Sequence, residues 1–124
     1  MRYLFLFVFL SAFLFSCEEE TESKFDEEEQ REITLADLYT IYQNGEILEC
    51  KDGDDLVYCC AVSDSSPKLY FYEKDGSYIA KCNKDATIPN EDDFCQYTSF
   101  YSCDFIYRAK SHKDGFLDEY EISK

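Results

Sequence analysis

Two Asp-Gly steps, Asp52-Gly53 and Asp75-Gly76, each sit between runs of strand-forming residues. Glycine reaches positive φ at no steric cost, and Asp tolerates the neighbouring turn position, so Asp-Gly between apolar runs is the strongest local signal for a hairpin. The first pair of strands is expected over Glu46–Lys51 and Leu56–Val62, the second over Lys68–Glu73 and Ser77–Asn83. A loop containing Pro67 joins the hairpins, and an acidic loop, Lys84–Asp93, follows the second. Lys-Asp-Gly occurs three times, at Lys51, Lys74 and Lys113, and turn chemistry accounts for each.

Ahead of the strands, Leu35, Leu38, Tyr39 and Tyr42 recur at helical spacing, and Asn44-Gly45 ends the run. Thr34 stands at the expected N-cap, with Asp37 three residues on in a weak form of the capping box. An apolar stripe on a short helix requires a partner, and the face of a sheet supplies one. After the hairpins, Cys103–Ala109 reads as a further strand with Phe105 and Tyr107 on one face and Ile106 on the other. Phe116–Ile122 reads as a final edge strand or short helix. The fold class is therefore α+β: one short N-terminal helix packed on a mainly antiparallel β-meander of four to five strands, stapled by disulfides.

The N-terminus carries a different message. Arg2 precedes an almost wholly apolar run, Tyr3–Phe15, which is too short for an ordinary transmembrane helix and reads as the core of a secretory signal. It ends at Leu14-Phe15-Ser16-Cys17, followed at once by Glu18, Glu19 and Glu20. This boundary resembles a bacterial lipobox, with Phe15 departing from the usual small or aliphatic residue. The resemblance implies cleavage before Cys17 and lipidation of its side chain and new amine, since two or three acyl chains hold firmly where one does not. The aromatic-rich signal and the acidic run resemble those of surface lipoproteins of Bacteroidota, which implies an outer-membrane anchor exposed at the cell surface. The expected organisation is a signal peptide over 1–16, a lipidated cysteine with an acidic flexible tether over 17–33, and one small disulfide-containing domain over 34–124. Asn44–Cys50 with the Cys59-Cys60 strand also resembles small lipoproteins of the same group, a likeness that transfers no functional residue.

The chain carries 27 acidic against 12 basic residues, a formal net charge of −15. Such a charge repels nucleic acid and anionic headgroups at long range, which excludes nucleic acid as a partner. Seven cysteines are present. With Cys17 assigned to lipid, Cys50, Cys59, Cys60, Cys82, Cys95 and Cys103 form an even set in an exported chain and read as disulfide-bonded. Adjacent strand residues face opposite ways, so Cys59 and Cys60 take different partners. Symmetry about Asp54 and Asp55 suggests Cys50 with Cys59, leaving Cys60 for Cys82 or Cys95. No Cys-x-x-Cys occurs, and one histidine with irregular cysteine spacing gives no zinc set.

Few residues suggest chemistry. His112, the sole histidine, lies in a polar turn beside Lys113 and Asp114 and reads as a surface residue. The acidic groups Asp52–Asp55 and Asn90–Asp93 lack the ligand spacing of a calcium loop and read as solvated turns. No catalytic residue, metal ligand or cofactor site is assigned. The remaining signal is eleven tyrosines with no tryptophan. Tyr70, Tyr72 and Tyr78 form the candidate binding surface, an aromatic ridge if Tyr70 and Tyr72 face away from the helix. The reading that follows is a non-enzymatic cell-envelope lipoprotein that binds a protein or glycan, or serves as an accessory subunit. Two alternatives stand beside it. One is an inhibitor of a secreted protease or cationic lysozyme that presents Lys84–Asp93. The other is a small hydrolase, which requires a concave pocket gathering His112 with a buried carboxylate.

Overall fold

The structure, a computed structural model, describes residues 27–124. The signal, Cys17 and the first part of the tether lie outside the described residues. Helix α1 occupies 27–42, with Leu35, Leu38 and Tyr42 buried and Glu27, Glu28, Glu29 and Glu32 exposed. The helix thus reaches well back into the stretch expected to be tether. Thr34 is not its N-cap. It lies inside the helix, and its hydroxyl donates to the carbonyl of Lys74 at 3.0 Å, while Gln30 Nε2 donates to the carbonyl of Asp75 at 3.2 Å. A side chain that reads locally as a cap is recruited instead to bind the helix to a distant turn.

Six strands follow: β1 Glu46–Asp52, β2 Asp55–Ala61, β3 Lys68–Glu73, β4 Tyr78–Asn83, β5 Ser102–Arg108 and β6 Leu117–Asp118. The count exceeds the expected four to five by the two-residue β6. Both hairpins form where the Asp-Gly steps predicted, with Gly53 at φ +61° and Gly76 at φ +91°. The spatial order is β4-β3-β2-β1-β5-β6, with every neighbouring pair antiparallel. The meander therefore ends at β4. The chain then passes through a 3-10 helix, Asp93–Phe100, to place β5 on the free side of β1. This crossover makes β1 a central strand.

Period-two alternation distributes the core between two faces. On one, Ile47, Tyr58, Cys60, Ile106 and Tyr107 meet Leu35, Leu38 and Tyr42 of α1, with Tyr70 and Tyr72 at the margin. On the other, Cys50, Val57, Cys59, Phe71, Ala80 and Cys82 form a second cluster with Cys95 and Phe94 of the 3-10 helix. Cys59 and Cys60 lie on opposite faces, as alternation dictates. Phe105 and Tyr107 do not share a face. The register against β1 shifts between Ile47 and Leu48, which pair with Tyr107 and Phe105, leaving Ile106 as the extra residue of a bulge. Ile106 and Tyr107 both turn under the helix, and Phe105 is left on the opposite side.

Gly45 joins the helix to β1 at a place where no side chain fits. A Cβ there would lie 1.8 Å from the Ala61 carbonyl oxygen, whereas a Cβ at Gly53 would meet nothing within 4 Å. Gly45→Ala is expected to destabilise by about 2 kcal/mol or more, because backbone must move to relieve the overlap. Gly53→Ala carries only a positive-φ penalty of roughly 1 kcal/mol. Urea unfolding of both variants, read by circular dichroism, checks the ranking.

Candidate functional site

Among the described residues, the six cysteines resolve into two disulfides and two thiols. Cys50 bonds to Cys103 and Cys82 to Cys95, while Cys59 and Cys60 are buried and free. This corrects both the six-cysteine disulfide set and the proposed pairings Cys50–Cys59 and Cys60 with Cys82 or Cys95. The first hairpin turns on Gly53 and Asp54, so Asp52 faces Asp55 and Cys50 faces Val57, with Cys59 opposite Leu48. Cys50 is directly opposite Cys103 on its other neighbour, β5. Cys82 bonds to Cys95 at the start of the 3-10 helix and holds that segment against the sheet.

The tyrosine ridge also fails to form. Tyr70 and Tyr72 face α1 and are partly buried against its cluster. The Tyr42 and Tyr72 hydroxyls share a hydrogen bond of 2.6 Å, and burial, reinforced by Tyr72, pushes the Tyr42 hydroxyl far above the ordinary tyrosine range. Only Tyr78 of the three is well exposed, at 57 %. Elsewhere, Tyr97 and Phe100 are 52 % and 67 % exposed on the 3-10 helix, with ring centroids 6.5 Å apart. Their signal in the sequence was the aromatic richness of Phe94–Ala109, which does not separate core from surface.

His112 departs furthest from expectation. It is 8 % exposed and lines a cleft of about 290 Å³ with Glu46, Leu48, Cys59, Leu69, Lys84 and Phe105. Asp64, Lys113 and Asp114 complete the lining. Strand geometry builds this cleft: Glu46, Leu48 and Cys59 share the face opposite α1 on β1 and β2, and the bulge brings Phe105 of β5 to the same side. The last Lys-Asp-Gly turn folds His112 over them. Its Nδ1 accepts the Asp114 backbone N–H at 3.1 Å, so the neutral ring carries its proton on Nε2, which faces Glu46 Oε2 at 3.5 Å. Lys84 Nζ approaches Glu46 Oε1 to 3.9 Å. Cys59 is a poor nucleophile in this setting. Burial, then Glu46, pushes its thiol up to about 12 against the pull of Lys84, so thiolate is scarce at neutral pH.

The acidic turns are engaged in the fold's own hydrogen bonds. Asp55 accepts from the Tyr101 hydroxyl, Asp92 from the Lys81 N–H at 3.0 Å, and Asn90 from the Asn83 N–H at 2.6 Å. Among the described residues no three His, Cys, Asp or Glu side chains come together to hold a metal ion, and no helix is long and apolar enough to cross a membrane. No family model, curated protein or solved structure matches the chain.

The cysteine assignment is tested by counting thiols in a form carrying Cys17→Ser. Two reactive thiols per chain are expected in denaturant and fewer than one in the native protein at neutral pH. Zero in denaturant would mean that all six cysteines are bonded.

Proposed function

We propose that this chain is a non-enzymatic lipoprotein of a bacterial outer membrane, anchored through Cys17 and exposed at the cell surface, that binds a protein or glycan. The observation that carries the binding reading is the pair Tyr97 and Phe100, large aromatic rings held in solvent on one short helix. The bond between Cys82 and Cys95 fixes that helix to β4. Aromatic side chains so held give contact area at little cost in conformational entropy, the usual character of a binding hot spot. The charge of −15 favours a neutral or basic partner, a cationic secreted enzyme among them.

The anchor is tested in the native host. Cys17→Ser is expected to abolish incorporation of labelled fatty acid and to move the protein from the membrane fraction to the soluble one. Persistence of the variant in the membrane would count against lipid anchoring. The binding surface is tested by cross-linking the tagged, lipidated protein on intact cells, followed by mass spectrometry and a glycan-array screen of the purified domain. Replacing Tyr97 and Phe100 together by Ser should weaken the recovered interaction by at least about 30-fold, equivalent to roughly 2 kcal/mol at a hot spot. Unchanged recovery by the double variant would move the interface elsewhere.

A second reading, a small extracytoplasmic hydrolase, draws on one observation: the cleft gathers His112 with the buried Glu46. It requires turnover that disappears in both His112→Gln and Glu46→Gln, measured over a panel of ester, amide and glycoside substrates.

A further inference from the structure

Glu46 is the least expected residue of the cleft. Its side chain is 6 % exposed, yet among the described residues no hydrogen bond reaches either carboxylate oxygen. His112 Nε2 at 3.5 Å and Lys84 Nζ at 3.9 Å are both farther than the roughly 2.8 Å of a charge-assisted hydrogen bond. The carboxylate thus has two ion-pair neighbours but unused acceptor capacity, a gap the cleft leaves open to a ligand. Neither oxygen is among the fully enclosed atoms that lack a partner. Lys84 does not fill the gap. Its ammonium is at the rim, 44 % exposed, and its hydrogen bond goes to the Asp64 carbonyl at 3.3 Å.

We propose that this cleft binds a primary ammonium group carried on a short apolar chain. The carboxylate of Glu46 is the acceptor for the ammonium. Leu48, Leu69 and Phe105 are the wall for the chain, and the cavity of about 290 Å³ has room for an alkylamine or a lysine side chain. Charge agrees with this polarity. Glu46, Asp64 and Asp114 line the cleft against Lys84 and Lys113, and the whole chain at −15 draws cations toward it. An anionic ligand would meet the buried carboxylate unpaired. Lys84 competes for Glu46, which makes its removal informative. The site is independent of the surface formed by Tyr97 and Phe100, neither of which lines the cleft.

The test titrates the full chain, with Cys17 replaced by Ser, against n-butylammonium and against a blocked peptide containing one lysine. Binding is read by amide chemical shifts, with 1-butanol as the uncharged control. Saturable binding at millimolar concentration is expected for at least one amine, with shifts at Leu48, Leu69 and Phe105 and none for butanol. Glu46→Gln should weaken it about tenfold or more, by loss of the charge-assisted contact. Lys84→Met, at an exposed position, should tighten it, and keeps the proposal testable should Glu46→Gln not fold. Tighter binding of the free amine identifies a small-molecule ligand, and tighter binding of the peptide identifies a lysine of a protein partner. Failure of both amines to bind overturns the proposal, as does binding that butanol reproduces, that Glu46→Gln leaves intact, or that Lys84→Met weakens.

Discussion

Strand β1 pairs with β2 along one side and with β5 along the other, and its alternate residues enter both hydrophobic clusters. Ile47 is under the helix, Cys50 on the opposite face, and Glu46 at the floor of the cleft. Strand β5 comes from a segment more than fifty positions later, and Cys50–Cys103, with a sequence separation of 53, closes that loop. Closing a loop of this length in the unfolded chain stabilises the native state by about 2–4 kcal/mol, and it secures the pairing with the least local support. The Cys82–Cys95 bond does the same for the 3-10 helix that carries the chain across.

With both faces covered, the sheet leaves little room for polar groups, and the exceptions are informative. The Tyr58 hydroxyl, fully buried, has no hydrogen-bond partner among the described residues. Burial, followed by the charge of Glu49, pushes it up to about 12. Its ring is among the largest side chains beneath α1, and filling that volume offsets an orphaned hydroxyl that costs about 1–3 kcal/mol. Tyr107 is placed similarly but finds an acceptor, donating to the Gln43 carbonyl at 2.6 Å and so tying β5 to the end of the helix. Six of the ten described tyrosines, Tyr39, Tyr42, Tyr58, Tyr70, Tyr72 and Tyr107, thus belong to the core beneath α1.

The two faces also differ in what covers them. The helix covers its side with a continuous apolar stripe. The opposite side is covered in pieces, by the 3-10 helix over β4 and by the turn at His112 over the start of β1. Piecewise cover leaves a cleft between the pieces and leaves Tyr97 and Phe100 in solvent, so both candidate sites lie in regions of irregular backbone rather than on regular elements.

Local chemistry sufficed for the hairpins, the helical stripe, the α+β class and the opposed placement of Cys59 and Cys60. Each depends on a few adjacent residues: glycine at positive φ, apolar side chains at helical spacing, alternation along a strand. Thr34, Cys50 and His112 were misread for the same reason. Each looks local in sequence, and each is defined by a residue far along the chain: Lys74 for the threonine, Cys103 for the cysteine, Glu46 for the histidine. The same holds for Tyr70 and Tyr72, because alternation gives two faces without naming the one the helix occupies. The sequence by itself determined the elements and the redox-capable, acidic character of the chain. Tertiary structure alone decided which cysteines bond, which tyrosines are buried and which carboxylate lies beside His112 and Lys84 in the cleft. Those outcomes follow from β5 pairing with β1, and loop closure over that distance leaves no periodic trace in the residues between.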